Sequence, residues 1–167
     1  TALDLKDFLA YTVRKQGGFV MELFWQRITG HSGHDTALSL LEKACGSPLP
    51  AMEKTPQGKP YFVDSTWHFS ISHTKNHVFC ALSRHNIGMD AEEAQRQLDP
   101  RLAARILSPE ELKKFDNSRE MLLKFWVLKE AYAKLTGRGL GNYLWETNLD
   151  PETVQTIDGC YVAVLEE

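Results

Sequence analysis

Residues 67–90 constrain the fold more than any other stretch. From Trp67 the pattern takes a period of two: Phe69, Ile71 and His73 fall on one side of a strand, and Ser70, Ser72 and Thr74 on the other. Lys75-Asn76 can turn the chain, HVFCALS (77–83) runs back as a second strand, and Arg84-His85-Asn86 turns it again into IGMD. Strands joined by turns this short lie antiparallel, because a parallel pair needs a crossover of about a dozen residues.

Other segments follow a helical period. Residues 4–15 (DLKDFLAYTVRK) carry Leu5, Phe8, Leu9, Tyr11 and Val13 in a partly helical pattern, and 35–44 fit a helix capped by Asp35, with Leu38, Leu40 and Leu41 as its apolar content. Pro48, Pro50, Pro56 and Pro60 break the next stretch into an irregular connection. After Asp90 the pattern again reads as helical. Ser108-Pro109-Glu110-Glu111 is a helix start, with a serine N-cap, a proline in the first turn and Glu111 closing a capping box. A further helix runs through FWVLKEAYAK (125–134) and stops at Gly137, and Asp158-Gly159 suits a tight hairpin between TVQTI and CYVAVL. The fold class is α+β, with a helix followed by antiparallel strands in each half of the chain.

The 167 residues fit one domain or two small, tightly fused halves. A hydrophobic content of 43% allows a real core, and a net charge of -3 argues against a nucleic-acid binder held by bulk electrostatics. No apolar run approaches the roughly 18 residues of a membrane span, and no basic-then-apolar leader is seen in a chain that begins at Thr1. Cys45, Cys80 and Cys160 are scattered without a CxxC spacing, which reads as a reduced, cytoplasmic protein.

On a helix, Met121, Phe125, Leu128, Tyr132 and Leu135 form one stripe that docks onto a core. Glu130 lies almost opposite, beside Leu123, Trp126 and Lys134. A carboxylate next to a tryptophan suggests a cleft wall, whereas a surface Glu130–Lys134 ion pair is the plainer reading. Upstream, Asp90 and Glu92 point the same way if extended, so they can share a divalent cation such as magnesium, with Glu130 approaching from the helix. Alternatively Asp90 is an N-cap and AEEAQRQ the first helical turns. HSGH (31–34) and the His73/His77 spacing are poor zinc sites, since no HExxH accompanies them. Lys59, in a stiff Gly-Lys-Pro turn, and His73 suit phosphate oxygens better. A stretch from Arg96 to Lys124 offers basic residues to an acidic partner helix, interspersed with five acids.

Four elements occur in order: GKPYF, FSISHT, IGMDAEE and FWVLKEAYAK. Together they resemble the 4'-phosphopantetheinyl transferases, whose hallmark is G-x-D-x-E followed by W-x-x-K-E-x-x-x-K. Here these read Gly88-Met89-Asp90-Ala91-Glu92 and Trp126-Val127-Leu128-Lys129-Glu130-Ala131-Tyr132-Ala133-Lys134. The resemblance spans about residues 58–140. It implies transfer of the phosphopantetheine arm of coenzyme A to a serine of an apo acyl or peptidyl carrier protein, releasing adenosine 3',5'-bisphosphate. It further implies that Asp90, Glu92 and Glu130 hold Mg2+ (or Mn2+), that Lys134 contacts a phosphate, and that Lys59, Ser72, His73 and Asp90 help bind coenzyme A. Glu130 is also implied as the acceptor of the serine proton, directly or through water.

The mid-chain position of G-x-D-x-E, with His73 upstream, resembles the surfactin-synthetase-activating type. In that type two similar α+β halves of one chain form a pseudo-dimer, here 1–85 and 86–167, with the site between them. A monomer is expected, with a shorter N-terminal end than is usual for the type. The alternative is a noncatalytic domain that binds coenzyme A or carrier protein.

Overall fold

A computed structural model of the chain describes residues 9–14, 20–30 and 32–167. Strands β1 (Leu9–Arg14), β2 (Val20–Arg27), β5 (His68–His73) and β6 (His77–Ser83) form an antiparallel sheet in the order β1-β2-β6-β5. A second antiparallel sheet has the order β7-β9-β8, from β7 (Ile87–Glu93), β8 (Gln155–Ile157) and β9 (Cys160–Glu166). A small hairpin joins β3 (Met52–Lys54) to β4 (Pro60–Phe62). The helices are α1 (Gly33–Cys45), the short α2 (Ala103–Ile106) and α3 (Pro109–Lys114), and the long α4 (Arg119–Thr136).

Period-two alternation sorts the side chains. Met21, Leu23, Trp25, Phe79 and Ala81 of the first sheet share one core with Ile87, Met89, Ala91, Cys160 and Val162 of the second. On the other side of the first sheet, Phe24, Phe69, Val78, Cys80 and Leu82 pack against Ala37, Leu40 and Leu41 of α1. Ala163 on the outer side of the second sheet packs with Leu123, Val127, Leu128 and Ala131 of α4. The layer order is therefore helix, sheet, sheet, helix. Fully buried side chains such as Phe79 and Leu128 anchor these layers, each contributing about 1.5–3 kcal/mol by removal from water.

Several local expectations hold. α3 has the capping box of Ser108 and Glu111, α4 ends at Gly137 in the left-handed conformation, and Asp158-Gly159 turns β8 into β9. The α+β class stands. Others are corrected. Residues 9–14 are a strand rather than a helix: Leu9, Tyr11 and Val13 also alternate with period two, and pairing with β2 decides the ambiguity; residues 4–8 and 15 lie outside the described residues. The cap of α1 is Ser32, whose hydroxyl accepts from Asp35 N, so Asp35 sits in the first turn. The proline-rich connection contains the β3–β4 hairpin. Asp90 caps no helix, because ladder pairing with β9 keeps the chain extended through Glu93. Among the described residues, no helix is long and apolar enough to cross a membrane.

Candidate functional site

The site forms where α4 crosses β7. Gly88, Asp90 and Glu92 alternate onto the side of β7 that faces α4, opposite Leu165, Ala163 and Tyr161 of β9. Gly88 makes this close approach possible. A Cβ there would lie 2.7 Å from Leu135 Cα, and closer still to Ala131 O and Leu135 N. No side chain larger than hydrogen fits against helix backbone at that distance. The α4 backbone thus sits on the strand, and Glu130 and Lys134 project beside Asp90.

Lys134 does not pair with Glu130. Its ammonium donates to Asp90 Oδ1 at 2.7 Å and to Ile71 O at 3.2 Å, tying α4 to both β7 and β5. Asp90 Oδ1 also accepts from the Ser72 hydroxyl at 2.8 Å, whereas Oδ2 is buried without a hydrogen-bond partner among the described residues. Burial first, and then the Asp90 charge, pushes the Glu130 carboxyl above its ordinary range; Lys134 partly offsets this. Glu92 is likewise raised, by burial foremost and by Asp90, against the lowering effects of Arg96, with which it pairs, and of Trp126. The three carboxylates are therefore within electrostatic reach of one another. Among the described residues, no three acids, histidines or cysteines are gathered into a ready-made metal centre.

A cleft of about 290 Å³ opens beside this cluster. Its walls are the Gln57–Pro60 turn, β5 at Phe69–Ile71, α4 at Glu130 and Lys134, and the loop of Gly137, Gly139 and Leu140. Lys59 enters it half-buried, donating to Asn86 Oδ1 at 2.6 Å and to Leu135 O at 2.9 Å, and desolvation lowers its pKa. The structure thus brings Lys59, Glu130 and Lys134 to one cleft, with Asp90 held by Lys134. Ser72 is buried behind Asp90 and does not line the cleft. His73 is exposed at the end of β5, with its Cγ 3.4 Å from where a Cβ on Gly33, at the start of α1, would lie.

The sequence reading missed an essential support. Lys129, the neighbour of Glu130, is fully buried and pairs with buried Glu111 at 2.7 Å. Its ammonium also donates to Leu144 O and Thr147 O, while Glu111 accepts from Ser108 N and Leu149 N. This pair fastens α3 and the segment after the Gly137–Gly139 loop to α4. A lysine amid apolar neighbours was the available signal; its acid, 18 positions upstream, was legible only as a capping residue. The zinc reading gains nothing, since His77 is bonded to Asp158 Oδ2 and Cys160 Sγ, and His31 lies outside the described residues. Within the Arg96–Lys124 stretch, Arg101, Lys113 and Lys124 pair with acids of the same stretch, so much of its basicity is neutralised locally.

Comparison with known proteins places this arrangement. Residues 86–160 match the family model of the 4'-phosphopantetheinyl transferase superfamily, a span that runs from β7 through α4 and β8 to the first residue of β9. The holo-[acyl-carrier-protein] synthase of Listeria welshimeri is 37% identical over 83 residues, covering 44% of this chain and 69% of that protein. The chain belongs to the 4'-phosphopantetheinyl transferase superfamily. Among longer relatives, the 4'-phosphopantetheinyl transferase gsp of Aneurinibacillus migulanus is 34% identical over 112 residues, covering 62% of this chain and 45% of that protein. The 4'-phosphopantetheinyl transferase Sfp of Bacillus subtilis is 33% identical over 89 residues, 50% of this chain and 39% of the relative. The chain therefore spans less than half the length of these longer superfamily members, and their surfactin-activating type is the one its layout fits.

Proposed function

We propose that the cleft at the α4–β7 crossing binds coenzyme A and transfers its phosphopantetheine arm to a serine of an apo acyl or peptidyl carrier protein. The observation that carries this reading is the convergence of Asp90, Glu130 and Lys134 in a chain of this superfamily. The serine oxygen attacks the phosphorus that bears the arm, the phosphoanhydride bond breaks, and adenosine 3',5'-bisphosphate departs. Such a reaction needs positioning and neutralisation of growing oxygen charge more than covalent help.

Asp90, Glu92 and Glu130 are the residues that would hold Mg2+ or Mn2+. The donor set fits, because magnesium takes one or two carboxylates and fills its shell with water and phosphate oxygens, and Asp90 Oδ2 is free of other bonds. When bound, the ion neutralises pyrophosphate charge. Lys134 faces a phosphate from the cleft side. Lys59, and His73 beside the start of α1, are read as contacts for the nucleotide end; Ser72, which the superfamily resemblance also puts there, is buried behind Asp90 and is not read as one. Glu130 accepts the serine proton directly or through one water.

We also read residues 1–85 and 86–167 as two α+β halves of a fused pair in a cytoplasmic monomer. In support, α1 covers the four-stranded sheet, α4 covers the three-stranded one, and the three thiols are unpaired. The test is to mix the protein with coenzyme A, Mg2+ and a panel of apo acyl and peptidyl carriers, then weigh the carriers by mass spectrometry. Addition of the arm is expected. Tight coenzyme A binding with no carrier modified would instead favour a noncatalytic binding domain.

A further inference from the structure

Strand β5 and the residue that follows it carry three hydroxyls at alternate positions, Ser70, Ser72 and Thr74, all directed at β7. As an edge strand among the described residues, β7 has a row of backbone groups without a ladder partner there. Two amides of that row are satisfied by serine side chains: Met89 N donates to Ser70 Oγ at 2.9 Å, and Ala91 N to Ser72 Oγ at 3.1 Å. At the far end Thr74 Oγ1 donates to Glu93 Oε1 at 3.2 Å, joined by Asn76 Nδ2 at 2.7 Å. The seam between the two sheets is thus a hydroxyl rail in place of a backbone ladder. Ser70 and Ser72 are both buried, so neither hydroxyl is held by solvent.

Ser72 differs from Ser70 in one respect. The proton of Ser70 faces the Met89 carbonyl at 3.5 Å, whereas the proton of Ser72 goes to Asp90 Oδ1 at 2.8 Å. With Lys134 on the same oxygen, the carboxylate is turned so that Oδ2 alone is left bare. An accepted bond from Ala91 N fixes the hydroxyl itself, one residue from the group it orients.

We infer that Ser72 is a positioning residue that sets which oxygen of Asp90 is presented to a divalent cation, and that Ser70 seats β7 without that orienting role. Ser72 therefore acts through Asp90 and does not touch the nucleotide. This rests on the metal-assisted transfer reading above, in which Asp90 is a metal ligand. Partners of this kind behind a ligand govern metal affinity roughly 10- to 100-fold.

The experiment titrates Mn2+ by electron paramagnetic resonance, with coenzyme A present, into wild type, Ser72→Ala, Ser72→Thr and Ser70→Ala. Coenzyme A affinity is measured separately in EDTA, and thermal unfolding reports the fold. Ser72→Ala is expected to bind Mn2+ roughly 10-fold or more weakly, with coenzyme A affinity in EDTA unchanged. Ser70→Ala lowers the melting temperature but leaves Mn2+ affinity near wild type. Ser72→Thr, which keeps the hydroxyl, restores most of the Mn2+ affinity and keeps the test valid should the alanine variant unfold. Equal Mn2+ losses in Ser70→Ala and Ser72→Ala, or none in either, would overturn the inference. So would a fall in coenzyme A affinity in EDTA, which would make Ser72 a direct nucleotide contact. A wild-type protein that binds no Mn2+ and modifies no carrier would instead overturn the functional reading beneath it.

Discussion

Replacing Gly88 by alanine tests how α4 is seated on β7. Gly→Ala at a position whose backbone suits alanine ordinarily stabilises by about 0.4–1 kcal/mol, through the unfolded chain. The structure predicts the reverse. The new methyl would lie 2.7 Å from Leu135 Cα, with the Ala131 carbonyl and Leu135 amide nearer still, and carbon atoms rest at about 3.5–4.0 Å. The helix must therefore lift by about 1 Å or the strand must yield, since the clashing atoms are backbone and cannot rotate away. Overpacking of this kind costs about 1–3 kcal/mol. The displaced helix carries Glu130 and Lys134, and a misplacement of about 1 Å can cost roughly 100-fold in rate. Denaturant unfolding reads the first effect, and steady-state transfer to a carrier protein reads the second. A Gly88→Ala variant as stable and as active as wild type would refute the close-approach argument.

Two further outcomes follow from paired charges, one buried and one exposed. Lys129→Met leaves Glu111 as an uncompensated buried acid, and removing one partner of such a pair typically costs about 3–5 kcal/mol; urea unfolding of the variant should show a loss of that order. Asp158 is held at about 2 against an ordinary 3.8, by hydrogen bonds from Arg27 first and His77 second. A depressed carboxylate contributes stability that is complete above its unfolded pKa and disappears as the pH falls through the folded one. Acid unfolding should therefore steepen between about pH 4 and pH 2, and Asp158→Asn should flatten that slope, as melting temperatures across the range would reveal.

The alternation at 69–74 was legible in the sequence because both faces of β5 are committed, Phe69 and Ile71 to α1 and Ser70, Ser72 and Thr74 to β7. The ends of α3 and α4 were legible because caps are local chemistry, written in Ser108, Glu111 and Gly137. Residues 9–14 were not, because their apolar spacing serves both periods and only pairing with β2 decides between them. AEEAQRQ misled for a similar reason: good helix formers there are overruled by the ladder to β9 as far as Glu93. The site followed the same division. The carboxylates and Lys134 were visible as residue types at fixed spacing, whereas the Lys134–Asp90 bridge and the Lys129–Glu111 pair are 44 and 18 positions apart and depend on tertiary packing.

Glu130→Gln gives the most direct test of the central assignment. The substitution is nearly isosteric, removes one carboxylate from the cluster around Asp90, and leaves the α4 docking residues untouched. An apo carrier protein incubated with coenzyme A and Mg2+ would be weighed after exposure to wild type and to the folded variant in parallel. The expected result is a carrier bearing the phosphopantetheine arm with wild type and an unmodified carrier with Glu130→Gln. A variant that modifies the carrier at the wild-type rate would contradict the role given to Glu130.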